Sequence, residues 1–187
     1  MNRNSGSIEL IIGPMYAGKS TELLKEIRKH KFLNKKILII NHTINVRYGT
    51  DKIITHDKIS CDDSIALTNL KEIYDHNDFA ESDVIIIEEL QFFKDAYLVI
   101  NELADKYSKH VICAGLSGDF RRNPFGDVCR LIPVADKITH LRAMCSICRD
   151  GTPAPFTKRF TKDIDTELVG AAETYKAVCR YHYFNEK

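Results

Sequence analysis

The sequence lacks the features that would indicate a membrane protein or a polyanion-binding protein. No apolar run in its 187 residues approaches the roughly 18 residues that a membrane span requires. Its 27 basic and 26 acidic residues leave a net charge of +1, so there is no basic excess to attract nucleic acid and no acidic tail. The first residues do not combine a charged segment with an apolar stretch. We therefore expect a soluble cytoplasmic protein with no membrane and no nucleic-acid partner.

Internal repeats and low-complexity segments are also absent. Hydrophobic residues make up 44% of the chain, which is enough for a packed core and argues against disorder. The length suits one full domain with a small addition.

One glycine-rich stretch carries a recognisable pattern, G-x-x-x-x-G-K-S. An apolar strand-like run, Ile8–Ile12, precedes it, and a segment with apolar residues at helical spacing begins at Thr21. In that context, backbone N–H groups and the helix N-terminus bind phosphate, the lysine reaches the β- and γ-phosphates, and the serine hydroxyl contacts Mg²⁺. The predicted ATP-binding residues are Gly13, Pro14, Met15, Tyr16, Ala17, Gly18, Lys19, Ser20 and Thr21. The alternative is a chance match in a glycine turn.

Strands and helices alternate along the first three quarters of the chain, which predicts an α/β fold of the P-loop NTPase (RecA-like) type. Its parallel sheet would carry helices on both faces, and ligands would bind beyond the carboxyl ends of the strands. The predicted strands are Ile8–Ile12, Ile37–Ile40, Val84–Ile87 and Val111–Leu116. Helical segments are predicted at residues 67–77, weakly, and at 94–107 and 128–134, whereas 42–60 is predicted to be a long connection. We place a domain boundary near Leu141, between a nucleotide-binding domain (1–141) and a smaller lobe (142–187).

Two carboxylates close the third strand. A carboxylate at this position in a phosphate-loop protein usually belongs to the Mg²⁺ shell. Glu88 and Glu89 are adjacent on a strand and so should point to opposite faces, one toward the metal and one toward the substrate, where it could act as a general base. The alternative is a solvated strand end without a role.

Cysteines cluster near the C-terminal end of the sequence. Cys145 and Cys148 form a C-x₂-C pair, and Cys179 and His182 form a C-x₂-H pair. Two such pairs supply the four ligands of a closed, structural Zn²⁺ site, here in a zinc-ribbon-like lobe. Free thiols or one disulfide are the alternatives. Cys113 lies in an apolar strand and is predicted to be a buried small hydrophobe.

Several further motifs occur together with the phosphate loop. They are Arg47-Tyr48, Thr55-His56-Asp57, Glu89-Leu90-Gln91-Phe92-Phe93, Phe120-Arg121-Arg122-Asn123-Pro124-Phe125, Thr157-Lys158-Arg159 and Tyr175-Lys176-Ala177-Val178-Cys179-Arg180. In this order, and over nearly the whole chain, they resemble the zinc-containing thymidine kinases of animal cells, poxviruses and many bacteria.

The resemblance implies ATP-dependent phosphorylation of thymidine or deoxyuridine at the 5′-hydroxyl, a step of nucleotide salvage, with Mg²⁺ and one structural Zn²⁺. It implies Glu89 as the catalytic base, and Glu88 and Gln91 beside the phosphates. It also implies a lasso loop that closes over the base, a homotetramer, and inhibition by thymidine triphosphate. The implied substrate-binding residues are Met15, Phe92, Leu116, Phe120, Phe125, Thr157, Thr166, Leu168 and Tyr175. Phe93 is a further aromatic residue available as a wall for the base.

The sequence departs from the family pattern at four positions. Glu88 replaces an Asp, Leu90 a smaller residue, Ser117 an Asp, and His182 a fourth Cys. Two other functions compete with a nucleoside kinase. One is a P-loop nucleotidase or switch protein, although the N-K-x-D motif of GTP-specific switches is missing. The other is a zinc-ribbon ATPase that binds nucleic acid, which the balanced charge disfavours.

Overall fold

The computed structural model describes residues 5–44, 53–54, 60–61, 64–160 and 174–185. The α-helices are α1 (Lys19–Phe32), α2 (Ala96–Asp105) and α3 (Arg180–Asn185). Short 3₁₀ helices span Leu70–Asp75, Leu90–Phe92 and Val128–Val134. The strands are β1 (Ser7–Ile12), β2 (Ile37–His42), β3 (Ile53–Ile54), β4 (Ser60–Cys61), β5 (Ser64–Leu67), β6 (Val84–Ile87), β7 (His110–Gly115), β8 (Lys137–His140), β9 (Ala143–Met144), β10 (Pro153–Ala154), β11 (Phe156–Arg159) and β12 (Tyr175–Val178).

A six-stranded sheet in the order β5-β2-β6-β7-β1-β8 forms the centre of the fold. Every neighbouring pair in it is parallel, as the continuous apolar strands predicted. Parallel strands place their carboxyl ends at one edge, so the segments that follow β1, β6 and β7 meet there. The α/β fold predicted from the sequence is confirmed.

Each face of the sheet is covered by a helix. Alternate residues of a strand point to opposite faces, and Leu10 and Ile11 of β1 accordingly lie in different apolar clusters. Leu23 and Ile27 of α1 pack in the cluster that contains Ile11. The cluster that contains Leu10 includes the apolar face of α2. The phosphate loop is thereby anchored by a buried strand before it and a buried helix after it.

Two elements differ from the prediction between β2 and β6. The weak helix predicted over residues 67–77 is wrong at its start, because Ser64–Leu67 is β5, an edge strand paired with β2. Only the 3₁₀ helix Leu70–Asp75 follows, and the Asp95 carboxylate accepts hydrogen bonds from the backbone N–H of Leu70 and Lys71. The predicted connection over residues 42–60 also contains β3, which pairs with β4 in an antiparallel ladder. These strands have two to four residues, too few for a periodic pattern.

Short antiparallel pairs follow the central sheet. After β8, β9 pairs with β10, and β11 pairs with β12. Their small buried residues form a separate cluster with Cys145 and Cys179, against which Tyr16 and Ala17 of the phosphate loop pack. The predicted boundary near Leu141 falls just after β8 and stays a prediction. The strands that follow it are not isolated from the first part of the chain, since they contact Tyr16 and Ala17 of the phosphate loop.

Candidate active site

The phosphate loop leaves β1 at Gly13 and enters α1 at Lys19. Gly13 has no room for a side chain, since an added Cβ would lie 2.6 Å from the Leu141 carbonyl oxygen. Gly18 has a left-handed φ of 85° and is the N-cap of α1, where it offers no capping side chain. The first N–H groups of this 14-residue helix are therefore directed toward the loop and suit an anion. Thr21 is exposed in the first turn of the same helix.

Lys19 lies in the loop beside two carboxylates. Its Nζ donates to the Pro14 carbonyl oxygen at 2.8 Å. Burial lowers the pKa of Lys19 to about 8, and the charges of Glu89 and Glu88 oppose that shift. Lys19 is the cation placed to meet the negative charge of a bound phosphate.

Glu88 lies just beyond β6, nearly buried, and shares a hydrogen bond with the Ser20 hydroxyl. Burial and the neighbouring Glu89 raise the pKa of Glu88 to about 8, against the hydrogen bond from Ser20 and the charge of Lys19. A hydroxyl and a carboxylate are hard oxygen ligands of the kind that Mg²⁺ prefers. Ser20 and Glu88 are thus the residues that fit this cation.

Glu89 leaves strand geometry altogether. The strand ends at Ile87, and Glu89 has a left-handed φ of 53° before the 3₁₀ helix Leu90–Phe92. The two carboxylates are therefore separated by this backbone turn rather than by the alternation of a strand. The buried Gln91 side chain donates from Nε2 to the Glu89 carboxylate and accepts at Oε1 from the Leu116 N–H at 3.0 Å. Gln91 joins the turn after β6 to the end of β7 and fixes where the Glu89 carboxylate lies.

Aromatic residues stand beside these carboxylates. Half-buried Phe92 and Phe125 meet edge to face, with ring centroids 5.7 Å apart. The expectation that Phe93 is available as a wall for a base is wrong, because Phe93 is fully buried in the core against His42. Phe92 is the last residue of the 3₁₀ helix and Phe93 follows it, and of the two only Phe92 is partly exposed beside the carboxylates.

A tight turn carries Phe120. The Asp119 carboxylate accepts from the backbone N–H of Arg121 and Asn123, both at 2.8 Å. The Phe120 carbonyl oxygen accepts from the Tyr183 hydroxyl at 2.8 Å. This turn is therefore fastened to α3.

The guanidinium of Arg159 lies between two rings. It is 4.0 Å from the Phe120 centroid and 4.8 Å from that of Tyr175, whose hydroxyl also receives a hydrogen bond from it. Tyr175 is buried. Arg159 belongs to the Thr157-Lys158-Arg159 motif, but its role as a connector between the two rings was missed, as were those of Asp119 and Tyr183. The contacts of Arg159 and Tyr183 join segments distant in the chain and leave no periodic signal, whereas those of Asp119 are local and are of the kind that an Asp at the start of a turn makes.

Thr157 of β11 reaches the phosphate loop. Its Oγ1 accepts a hydrogen bond from the Met15 N–H at 2.9 Å, and the residue is only 5% exposed. The predicted substrate residues Met15 and Thr157 are thus brought together. Thr166 and Leu168, which are expected in the loop that closes over the base, lie outside the described residues.

The four predicted zinc ligands converge. The ligand atoms of Cys145, Cys148, Cys179 and His182 all lie within 4.8 Å of one another. His182 Nδ1 is 3.3 Å from the sulfurs of Cys148 and Cys179 and 3.6 Å from that of Cys145. Zinc–sulfur bonds of about 2.3 Å arranged tetrahedrally would place two sulfurs about 3.8 Å apart. The Cys148 and Cys179 sulfurs are 3.9 Å apart, which fits a shared metal and is too long for a disulfide.

The protein surroundings favour thiolate at one of these ligands. Burial by itself would raise the pKa of Cys145, but backbone N–H groups of Cys148, Cys179 and Ile147 and the His182 ring lower it to about 6. Thiolate is the form that binds zinc. Cys113 is fully buried, as expected, and burial raises its pKa to about 12. In the described part of the chain, no helix is both long and apolar enough to cross a membrane.

Comparisons with known proteins agree on one family. The family model described as "Thymidine kinase" matches residues 6–183. The protein named Thymidine kinase a of Arabidopsis thaliana is 40% identical over 183 residues, which cover 97% of this chain and 76% of the relative. Thymidine kinase of Choristoneura fumiferana entomopoxvirus is 43% identical over 186 residues, 95% of this chain and 96% of the relative. Thymidine kinase of sheeppox virus (strain KS-1) is 39% identical over 181 residues, 97% of this chain and 98% of the relative.

Proposed function

This chain belongs to the thymidine kinase family and is a kinase, and from that premise we propose that it transfers the γ-phosphate of ATP to the 5′-hydroxyl of thymidine. The observation that carries the proposal is the meeting, at the carboxyl edge of one sheet, of a phosphate loop and a carboxylate that can act as a general base. Lys19 and the Ser20–Glu88 pair suit the phosphates, and Glu89 follows directly. The acceptor nucleoside would bind between Glu89 and the aromatic residues beside it.

Each residue has a distinct part in this reaction. The loop N–H groups and Lys19 bind and orient the triphosphate, and Lys19 stabilises the charge that develops during transfer. Glu89 accepts the proton of the 5′-hydroxyl while the hydroxyl oxygen attacks the γ-phosphorus and ADP leaves. Gln91 holds the Glu89 carboxylate in position. Mg²⁺ held by Ser20 and Glu88 would neutralise charge on the phosphate oxygens.

The nucleoside site would use Phe92, Phe125, Phe120 and Leu116 as apolar walls, with Met15 and Thr157 near the 5-methyl group of thymine. Tyr175 is proposed to support this pocket through Arg159, which touches Phe120. Thr166 and Leu168 keep their proposed place in the loop over the base, as the resemblance implies. A homotetramer, inhibition by thymidine triphosphate and a cytoplasmic location remain proposals of the same kind.

Substrate choice tests this function. One methyl group in an apolar pocket contributes only about 1–3 kcal/mol, so deoxyuridine should be phosphorylated, but less well than thymidine. Deoxycytidine presents an amine donor where thymine has a carbonyl acceptor, which would leave a buried donor unpaired. We expect the order thymidine, deoxyuridine, then deoxycytidine and purine nucleosides close to inactive.

The assay compares phosphorylation of these nucleosides by [γ-³²P]ATP, with ATP consumption also measured in their absence and with single-stranded DNA. Equal rates with deoxycytidine would contradict the thymine-reading pocket and indicate a broad deoxynucleoside kinase. ATP consumption that does not depend on a nucleoside would favour the nucleotidase alternative. Stimulation by DNA alone would favour the zinc-ribbon ATPase.

A further inference from the structure

The phosphate loop contains a backbone position that needs external support. Tyr16 has a φ of 63°, a left-handed conformation that is unfavourable for a bulky residue. Such a conformation persists only where the surroundings hold it. Two contacts meet this need, and both come from the antiparallel strands that follow the central sheet rather than from the sheet itself.

The first contact is the hydrogen bond from the Met15 N–H to Thr157 Oγ1, at 2.9 Å. It acts on the residue just before Tyr16 and joins positions 142 residues apart in the chain. The second is apolar packing, since Tyr16 and Ala17 lie against the cluster formed by Ala143, Ala154 and Ala177 with their neighbours. The hydrogen bond restrains the backbone, and the packing restrains the side chain that follows.

Thr157 is itself rigidly placed. It pairs with Ala177 in the antiparallel ladder between β11 and β12. The Ala177 carbonyl oxygen accepts from both the backbone N–H of Ser146 at 3.0 Å and the Ser146 hydroxyl at 3.1 Å. The hydroxyl of Thr157 is therefore presented to Met15 from a strand that is fixed on its other side.

We propose that Thr157 is a positioning residue for the ATP site, whose hydroxyl holds the phosphate loop in its phosphate-binding conformation by accepting the Met15 N–H. This role rests on the proposed function in that it assigns the loop to ATP, and it is additional to the contact expected between Thr157 and the thymine methyl group. The Met15 N–H is thereby committed to Thr157, so the remaining N–H groups of the loop and of the α1 N-terminus are those left for phosphate oxygens.

Substitutions at Thr157 can separate the hydroxyl from the methyl group. Thr157→Val keeps the shape and removes the acceptor, whereas Thr157→Ser keeps the hydroxyl and removes the methyl group. We expect Thr157→Val to raise the Kd for ADP with Mg²⁺, measured calorimetrically without nucleoside, about tenfold, the effect of one lost hydrogen bond to a partly buried donor. Thr157→Ser should stay within about twofold of the unmodified protein, because the hydrogen bond is retained.

A matched control is Thr68→Val, which makes the same change beyond β5, four strands away from β1, and should leave the Kd for ADP unchanged. Hydrogen exchange supplies a local readout. In Thr157→Val the Met15 amide should exchange faster, while the Leu141 amide, which donates to the Ile12 carbonyl oxygen at 2.8 Å, stays protected. Should the Val variant fail to fold, Thr157→Ser and Thr157→Ala form a second pair that differs in the hydroxyl alone.

Equal ADP affinity in Thr157→Val and Thr157→Ser, or in the Ser and Ala pair, would overturn the proposal. This holds whether the two variants bind ADP as tightly as the unmodified protein or both bind it more weakly, since in either case the hydroxyl would make no difference. The outcome is independent of the nucleoside, because no nucleoside is present in the measurement. A failure of thymidine phosphorylation in the unmodified protein would contradict the proposed function alone.

Discussion

Among the residues proposed to bind phosphate, Lys19 is the one whose loss we expect to have the largest effect. Its buried ammonium faces Glu88 and Glu89 and is fixed by the Pro14 carbonyl oxygen. We expect Lys19→Ala to lower kcat/KM by roughly 10²- to 10³-fold, the usual effect of removing one positioned group that stabilises transition-state charge. Steady-state kinetics with thymidine and ATP measure it. Lys25→Ala is the control on the same helix, since Lys25 is exposed and forms an ion pair with Glu22 at 2.9 Å; a comparable loss there would show that the effect is not specific to the loop.

Glu88 and Glu89 are assigned different parts, and their Gln variants test the division. Glu89→Gln keeps the side chain's shape but removes its proton affinity, so kcat should fall by roughly 10²-fold or more while the KM for thymidine changes little. Glu88→Gln should instead raise the Mg²⁺ concentration needed for half-maximal activity, because it weakens the pair with Ser20. The assignment is reversed if Glu88→Gln abolishes turnover at saturating Mg²⁺ and Glu89→Gln is mild.

At the scale of elements, the C-terminal end of helix α1 contacts the sheet where His30 of the helix meets His110 of β7. The rings of His30 and His110 lie 5.1 Å apart, and His30 is buried. Burial lowers the pKa of His30, and the neighbouring His110 and Lys29 lower it further, against Glu26 and Glu9. Burial also lowers the pKa of His110, with Glu9 and Glu26 opposing and Lys29 and Lys137 adding to the shift.

These lowered pKa values predict how stability depends on pH. The unfolded chain has ordinary histidines with a pKa of about 6.5, so below that pH the unfolded state binds protons that the folded state resists. The free energy of unfolding should therefore fall as the pH drops below about 6.5, and the loss should stop only below the folded pKa values. Urea denaturation between pH 7.5 and pH 5 measures this slope. It should become shallower in His30→Leu and stay the same in Ile138→Ala, a change at an exposed residue of β8 that carries no titratable group; an unchanged slope in His30→Leu would contradict the prediction.

The elements differ in how far the sequence predicts them. β1, β6 and the helix after the phosphate loop lie close to their predicted positions because each buries a continuous or periodic apolar pattern. β5 could not be predicted, since its four residues become a strand only through pairing with β2. The turn at Glu89 is likewise invisible in the sequence, because a left-handed conformation at a non-glycine residue depends on the contacts around it.

At the scale of the whole molecule, the Cys145, Cys148, Cys179 and His182 cluster should hold the C-terminal part together. Short strands and a cluster of small buried residues form the described centre of this part, so metal binding would supply much of its folding free energy. Elemental analysis should find about one zinc per chain. Cys148→Ser should lose the zinc, and the amides of β11 and β12 should then exchange faster with solvent hydrogen. Cys129→Ser changes a cysteine outside the cluster and should retain both the zinc and the protection of those amides. A zinc-free protein with full protection of those amides would contradict this prediction.

The sequence names most residues of the candidate active site, but it does not show which contacts hold them together. The phosphate loop, the Glu88–Glu89 pair and the four zinc ligands carry chemistry in their own spacing, and the family's motifs are contiguous in the chain. Gln91 was assigned to the phosphates by resemblance, yet its amide bridges Glu89 and Leu116. Phe93 was grouped with Phe92 by adjacency, yet it is part of the core.

The sequence by itself determined the parallel sheet, the phosphate-loop motif, the two Cys and His pairs and the family, since all of these rest on local spacing and local apolar pattern. Only the tertiary structure decided which contacts hold the phosphate loop and the aromatic residues of the candidate site in place. The hydrogen bond from Met15 to Thr157 and the contacts of Arg159 with Phe120 and Tyr175 join segments from opposite ends of the chain or from different strands. Such contacts depend on the orientation of side chains in a packed structure, and that orientation is set by the fold as a whole rather than by neighbours in sequence.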